Sequence, residues 1–140
     1  MGRWYRVFGS LDTPPTPVDL GAGVSLRVQS DEWHSAELTT VLGDPLVLER
    51  YRADEEGIRA ELNSWAAFLE TCDGPHHIPL MERTIQTRQL FTIHNPTGDG
   101  GLDRECNTLC QHLARITEGF YQADGLGFFD ADGTLLVEER

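Results

Sequence analysis

The chain of 140 residues has no lysine, and all 11 of its basic residues are arginines. That excludes a Schiff-base lysine and the phosphate-cradling lysine of a P-loop. Basic charge is scarce altogether: 23 acidic groups leave a formal charge of −12. A surface of that sign repels phosphate backbones and anionic lipid headgroups, so neither nucleic acid nor membrane is expected as a partner. Long apolar runs are missing too. The opening "MGRWYRVFGS" has no apolar h-region and carries Arg6 where a myristoylation signal needs Ser or Thr. A cytoplasmic protein is the expectation. Cysteine is sparse and odd in number, three residues without a C-x-x-C pair, which points to free thiols rather than a disulfide framework. Gly and Pro are also too few for a low-complexity chain, and no internal repeat or interdomain linker is present.

What remains is the composition and length of one globular domain, 1–140. "RWYRVFG" alternates as a half-buried strand does. "VSLRVQ" does the same, with Val24, Leu26 and Val28 on one side, and 33–42 and 46–52 read as further strands around "GDP" at 43–45. The period then changes. Ile58, Leu62, Trp65, Ala66 and Leu69 form one helical stripe, for which Asp54 is the expected N-cap. A short helix after Pro79 and a strand over 88–94 follow. Leu102, Cys106, Leu109, Cys110, Leu113 and Ile116 mark a second long helix over 102–118, with Gly119 as its stop. The chain ends as a meander, "FYQA" and "LGFF" joined at Asp124-Gly125 and "TLLVEE" after "DADG". The expected fold is α+β: a mainly antiparallel sheet with two principal helices on one face, ferredoxin-like in its second half.

Near the C-terminus, "FFDADGTLL" resembles the first motif of the haloacid dehalogenase-like phosphatase superfamily. The resemblance implies Asp130 as nucleophile, Asp132 as acid/base and a shared magnesium ion. It covers roughly ten residues, and only six follow Thr134, where that family places most of its sheet and its later ligands. The family's lysine is also missing, and the residues upstream read as a hairpin, so a turn is the reading adopted. Asp130, Asp132, Gly133 and Glu139 also match four positions of a calcium loop, but Phe128 occupies the first ligand position.

Three further groups carry possible chemistry. "CDGPHH" brings Cys72, His76 and His77 together as candidate metal ligands, with one more ligand required from elsewhere, His34, His94 and His112 being the candidates. Cys106 and Cys110 share an apolar helical stripe, where core packing is the simpler role. Arg50 and Arg52 project from one side of a strand and are candidates to grip a carboxylate or phosphate, although Glu49, Asp54, Glu55 and Glu56 stand nearby as ion-pair partners.

The final meander holds Phe120-Tyr121 and Phe128-Phe129, adjacent aromatics that must point to opposite faces. One member of each pair is surplus to a one-sided core. That surplus and the net charge lead to a non-catalytic, acidic interaction or regulatory module, such as a toxin-neutralising protein, with a protein partner or a second copy and no cofactor. The alternative is a small-ligand-binding protein or unrecognised hydrolase with a pocket between sheet and helices.

Overall fold

The computed structural model describes residues 2–16, 19, 24–26, 34–38 and 46–139. They contain strands β1 (Arg3–Gly9), β2 (Val24–Leu26), β3 (Ser35–Leu38) and β4 (Leu46–Arg52), then helices α1 (Ile58–Glu70) and α2 (His77–Ile85). Strand β5 (Gln89–Asn95), helix α3 (Gly100–Ile116) and strands β6 (Phe120–Ala123), β7 (Gly127–Asp130) and β8 (Leu135–Glu138) complete the order. The expected turn at 43–45 and the continuation of β2 through Val28 lie outside the described residues.

All eight strands form one sheet in the order β2-β3-β4-β5-β1-β6-β7-β8, and every neighbouring pair is antiparallel. The α+β class is therefore as expected. Strands β5 and β6 both flank β1, so β5–α3–β6 is a split β–α–β unit wrapped around the central strand. A ferredoxin-like fold uses such a unit twice; here one copy leads into the β6–β7–β8 meander.

The helices do not share a face, which corrects the expected arrangement. Tyr5, Val7, Phe91, Ile93 and Tyr121 pack with Leu102, Cys106, Cys110 and Leu113 of α3. Phe8, Leu90, Phe120 and Phe128 pack on the opposite side, against Ile58, Leu62 and Leu69 of α1 and Leu80 of α2. The physical reason lies in adjacent apolar pairs. Val7-Phe8, Leu90-Phe91 and Phe120-Tyr121 are all buried, and alternation sends the members of each pair to opposite faces, so both must be covered. The aromatic surplus of the meander is thereby absorbed. Phe120, Tyr121 and Phe128 are core, and Phe129 stacks on Tyr121 at 5.1 Å. Each fully buried aromatic contributes on the order of 2 kcal/mol of transfer free energy.

Helix α1 starts at Gly57, not at an Asp54 cap: Gly57 is the N-cap, with φ of 86°. The Asp54 carboxylate instead takes the Arg52 guanidinium at 3.1 Å, while the Glu55 side chain accepts the Arg52 backbone N–H, so the chain turns before the helix begins. A left-handed residue at that junction favours glycine. Helix α2 begins two residues before Pro79, which its first turn tolerates. At the end of α3 the left-handed residue is Glu118, and Gly119 serves another purpose: a Cβ there would lie 1.9 Å from the Phe8 carbonyl oxygen.

Candidate functional site

Helix α1 crosses one face of the sheet over Phe8, Phe128 and Val137 and leaves the other half of that face without a described helix over it. The border is a row of paired residues running Ser35, Glu49, Thr92, Arg6, Gln122 and Phe128. Beyond it, Glu37 pairs with Val47 and His94 with Trp4. Alternation puts Trp4, Arg6 and Phe8 on the same side of β1, so Trp4 belongs to the aromatic face but lies past the reach of α1.

Two large apolar side chains stand exposed there, Trp4 at 40% and Val47 at 41%. The indole stacks on His94 with ring centroids 4.4 Å apart and planes at 19°. That contact holds Trp4 in one orientation instead of letting it sample rotamers, which lowers the entropy lost when a partner covers it.

Arg6 fixes the border. Its Nη1 donates to Gln122 Oε1 and Asp124 Oδ1, both at 2.8 Å, its Nε lies 3.7 Å from Glu61, and its guanidinium sits 4.9 Å over the Trp65 ring of α1. Gln122 in turn donates to Asp124 and to Glu139. Glu37, Glu49, Glu61, Asp124 and Glu139 thus stand around the exposed pair, with the Arg6 guanidinium at their border and Arg3 donating to the Asp124 carbonyl at 3.0 Å. Glu49 accepts the Tyr51 hydroxyl at 2.9 Å, which orients its carboxylate. The result is a preformed surface with an aromatic centre and an acidic rim.

A second polar cluster ties the frame together behind it. Asp103, in the first turn of α3, accepts from the Tyr5 hydroxyl at 2.7 Å and Asn95 Nδ2 at 2.9 Å, and pairs with Arg3 at 3.2 Å. Burial acts to raise the Asp103 carboxyl, but the hydrogen bonds from Tyr5 and Asn95 and the charge of Arg3 outweigh it and hold the group below its ordinary value. The Tyr5 phenol is pushed up by burial first and then by the same carboxylate. Three donors from β1 and β5 converge on Asp103, which gives it a structural role.

The residues singled out in the sequence fall elsewhere. Arg50 is buried to 1% exposure; its Nε donates to Gln89 Oε1 at 2.7 Å and its Nη2 to the Asp12 carbonyl. Gln89 also holds the Leu11 and Thr13 carbonyls, so the pair anchors the segment after β1. Arg52 is engaged by Asp54. These two arginines share a side of β4 but present no joint anion grip, because Arg50 continues the buried row of Leu46 and Leu48.

Cys72 Sγ contacts the Phe68 carbonyl and His77 Nδ1 the Leu69 carbonyl, at 3.4 and 3.0 Å, while His76 is exposed at the start of α2. Among the described residues no three His, Cys, Asp or Glu side chains are placed to hold a metal. Burial, followed by the charge of Asp73, raises the Cys72 thiol, the wrong direction for an activated nucleophile. Cys106 and Cys110 are core, the former pushed up to about 12 by burial.

"DADG" is a turn: the Gly133 N–H reaches the Asp130 carbonyl, and the Asp130 and Asp132 carboxylates accept the N–H groups of Ala131 and Thr134. Glu139 points away from that turn and accepts the Gly125 N–H. Neither a phosphatase pair nor a calcium loop is assembled. No protein-family model, curated protein or solved structure matches the chain.

Proposed function

We propose that this chain is a non-catalytic interaction module that docks a basic protein through the open half of its sheet. The observation that carries the reading is the exposed Trp4–His94 stack within a rim of five carboxylates. Tryptophan is among the side chains that most often dominate binding energy when a partner excludes water from it. The carboxylates supply electrostatic complementarity to Lys- and Arg-bearing segments and speed their encounter with a molecule of charge −12. The same charge opposes a second copy on this face, so a heterologous partner is favoured over a homodimer. Three free thiols are consistent with a cytoplasmic setting. No described helix is long and apolar enough to cross a membrane.

The test is affinity capture with the wild-type chain and a Trp4→Ala variant, followed by binding measurements with purified components. The expected partner is basic. Its affinity falls about 10-fold or more on Trp4→Ala and falls again as salt is raised from about 0.05 to 0.3 M. An acidic partner, or a basic one indifferent to Trp4, refutes the docking face.

A further inference from the structure

At the opposite end of the strands lies a cleft of about 710 Å³, within the size range of small-ligand sites. Its lining includes Arg52, Arg59 and Arg88, together with Gln86, Asp12 and Asp54. Three of the eleven arginines of an acidic chain converge there, although Coulomb repulsion favours dispersing them.

The frame is rigid. The Arg88 N–H donates to the Gly9 carbonyl at 2.8 Å, and the Arg88 carbonyl accepts from Ala53 at 2.9 Å, so this residue is stitched between the ends of β1 and β4. Arg59 extends from the first turn of α1 and places Nη1 on the Ile85 carbonyl at 2.9 Å, at the end of α2. That bond uses one of five guanidinium donors and locks the plane of the group. Asp54 is already matched to Arg52 through two contacts, at 3.1 and 3.4 Å. Arg59 and Arg88 therefore set the sign of the cleft, opposed by Asp12.

We infer that this cleft binds a small molecule carrying two or more oxyanion groups, a diphosphate or a di- or tricarboxylate, gripped by Arg59 and Arg88 with Arg52 at its edge. Guanidinium forks match the paired oxygens of such groups, and two forks on separate elements select a ligand with more than one of them. The Gln86 amide adds a neutral donor. This site is independent of the docking face and stands or falls without it.

Calorimetric and amide-NMR titrations with pyrophosphate and, separately, citrate test the inference. Saturable binding of either is expected, with shifts centred on Arg59, Gln86 and Arg88; preference for pyrophosphate assigns a phosphate ligand and preference for citrate a carboxylate. Arg59→Gln and Arg88→Gln, both at exposed positions, each weaken it about 10-fold. Arg104→Gln, exposed on α3, removes the same charge elsewhere and leaves binding unchanged. No saturation by either anion up to about 10 mM, or an equal loss in Arg104→Gln, overturns the assignment.

Discussion

Replacing Asp103 with alanine removes one carboxylate that three elements share. Arg3 and Tyr5 on β1 and Asn95 on β5 all direct donors at this carboxylate on α3. Hydrogen bonds to a charged group are worth roughly 1.5–3 kcal/mol each in isolation. The carboxylate is 24% exposed, so water replaces part of what is lost, and the three contacts act as one unit rather than adding. A net loss of about 2–3 kcal/mol follows. For a domain of this length the unfolding entropy makes each kcal/mol worth about 3–4 °C, so Tm should fall by about 7–10 °C. The pH dependence has a definite sign. The folded carboxyl lies below its unfolded value of about 3.9, so its contribution is complete above that pH and disappears as pH falls through the folded value. The Tm gap between wild type and Asp103→Asn, measured by calorimetry, should hold constant from about pH 6 to 5 and close below about pH 4. A Tm loss below about 2 °C in Asp103→Ala, or a gap that does not close in acid, refutes the shared-carboxylate account.

Three other outcomes follow from packing and backbone geometry. Gly119→Ala forces a Cβ to within 1.9 Å of the Phe8 carbonyl on the central strand, so it should lower Tm by more than about 10 °C or prevent soluble expression. Gly125→Ala has nothing within 4 Å and only its φ of 81° to strain, so calorimetry should show a loss of about 1 kcal/mol. Native titration with a thiol reagent at pH 8 should modify Cys72 alone, with Cys106 and Cys110 reacting once denaturant is added; rapid native modification of all three contradicts the buried core.

The elements were legible where one physical signal dominated. Ile58, Leu62, Ala66 and Leu69 define α1 by period alone, and Asp124-Gly125 marks the position of the β6–β7 turn, although the turn takes in Leu126 as a third residue instead of closing in two, since Ala123 pairs with Gly127. The buried fate of Arg50 is also present in the pattern, since Leu46, Leu48 and Arg50 recur at the strand period, although its charge alone points to the surface. The two-faced core was encoded in Val7-Phe8 and Leu90-Phe91, whose contiguous burial is the mark of a sheet covered on both sides. Long-range facts were not encoded in any local window. That Trp4 stays uncovered while Phe8, four residues on, is buried depends on where α1 crosses the sheet, and that depends on the Gly57 junction and the Arg6–Trp65 contact together. Arg59 and Arg88 lie 29 positions apart and meet only because α2 ends beside β5.

The two sites should respond to salt differently. At about 0.01 M ionic strength the screening length is roughly 30 Å, so a ligand at either site senses the whole charge of −12. A cationic partner at Trp4 gains from that field, and every increase in salt weakens it. An anion approaching Arg59 and Arg88 is attracted by those residues and repelled by the rest of the surface. At about 0.15 M the screening length shrinks to roughly 8 Å, which removes most of the distant repulsion while much of the contact with the two guanidinium groups survives. Oxyanion binding should therefore hold steady or strengthen over the range in which partner binding declines. The sign of the salt response separates recognition by the arginine cleft from recognition by the acidic face, even in a variant whose net charge has changed.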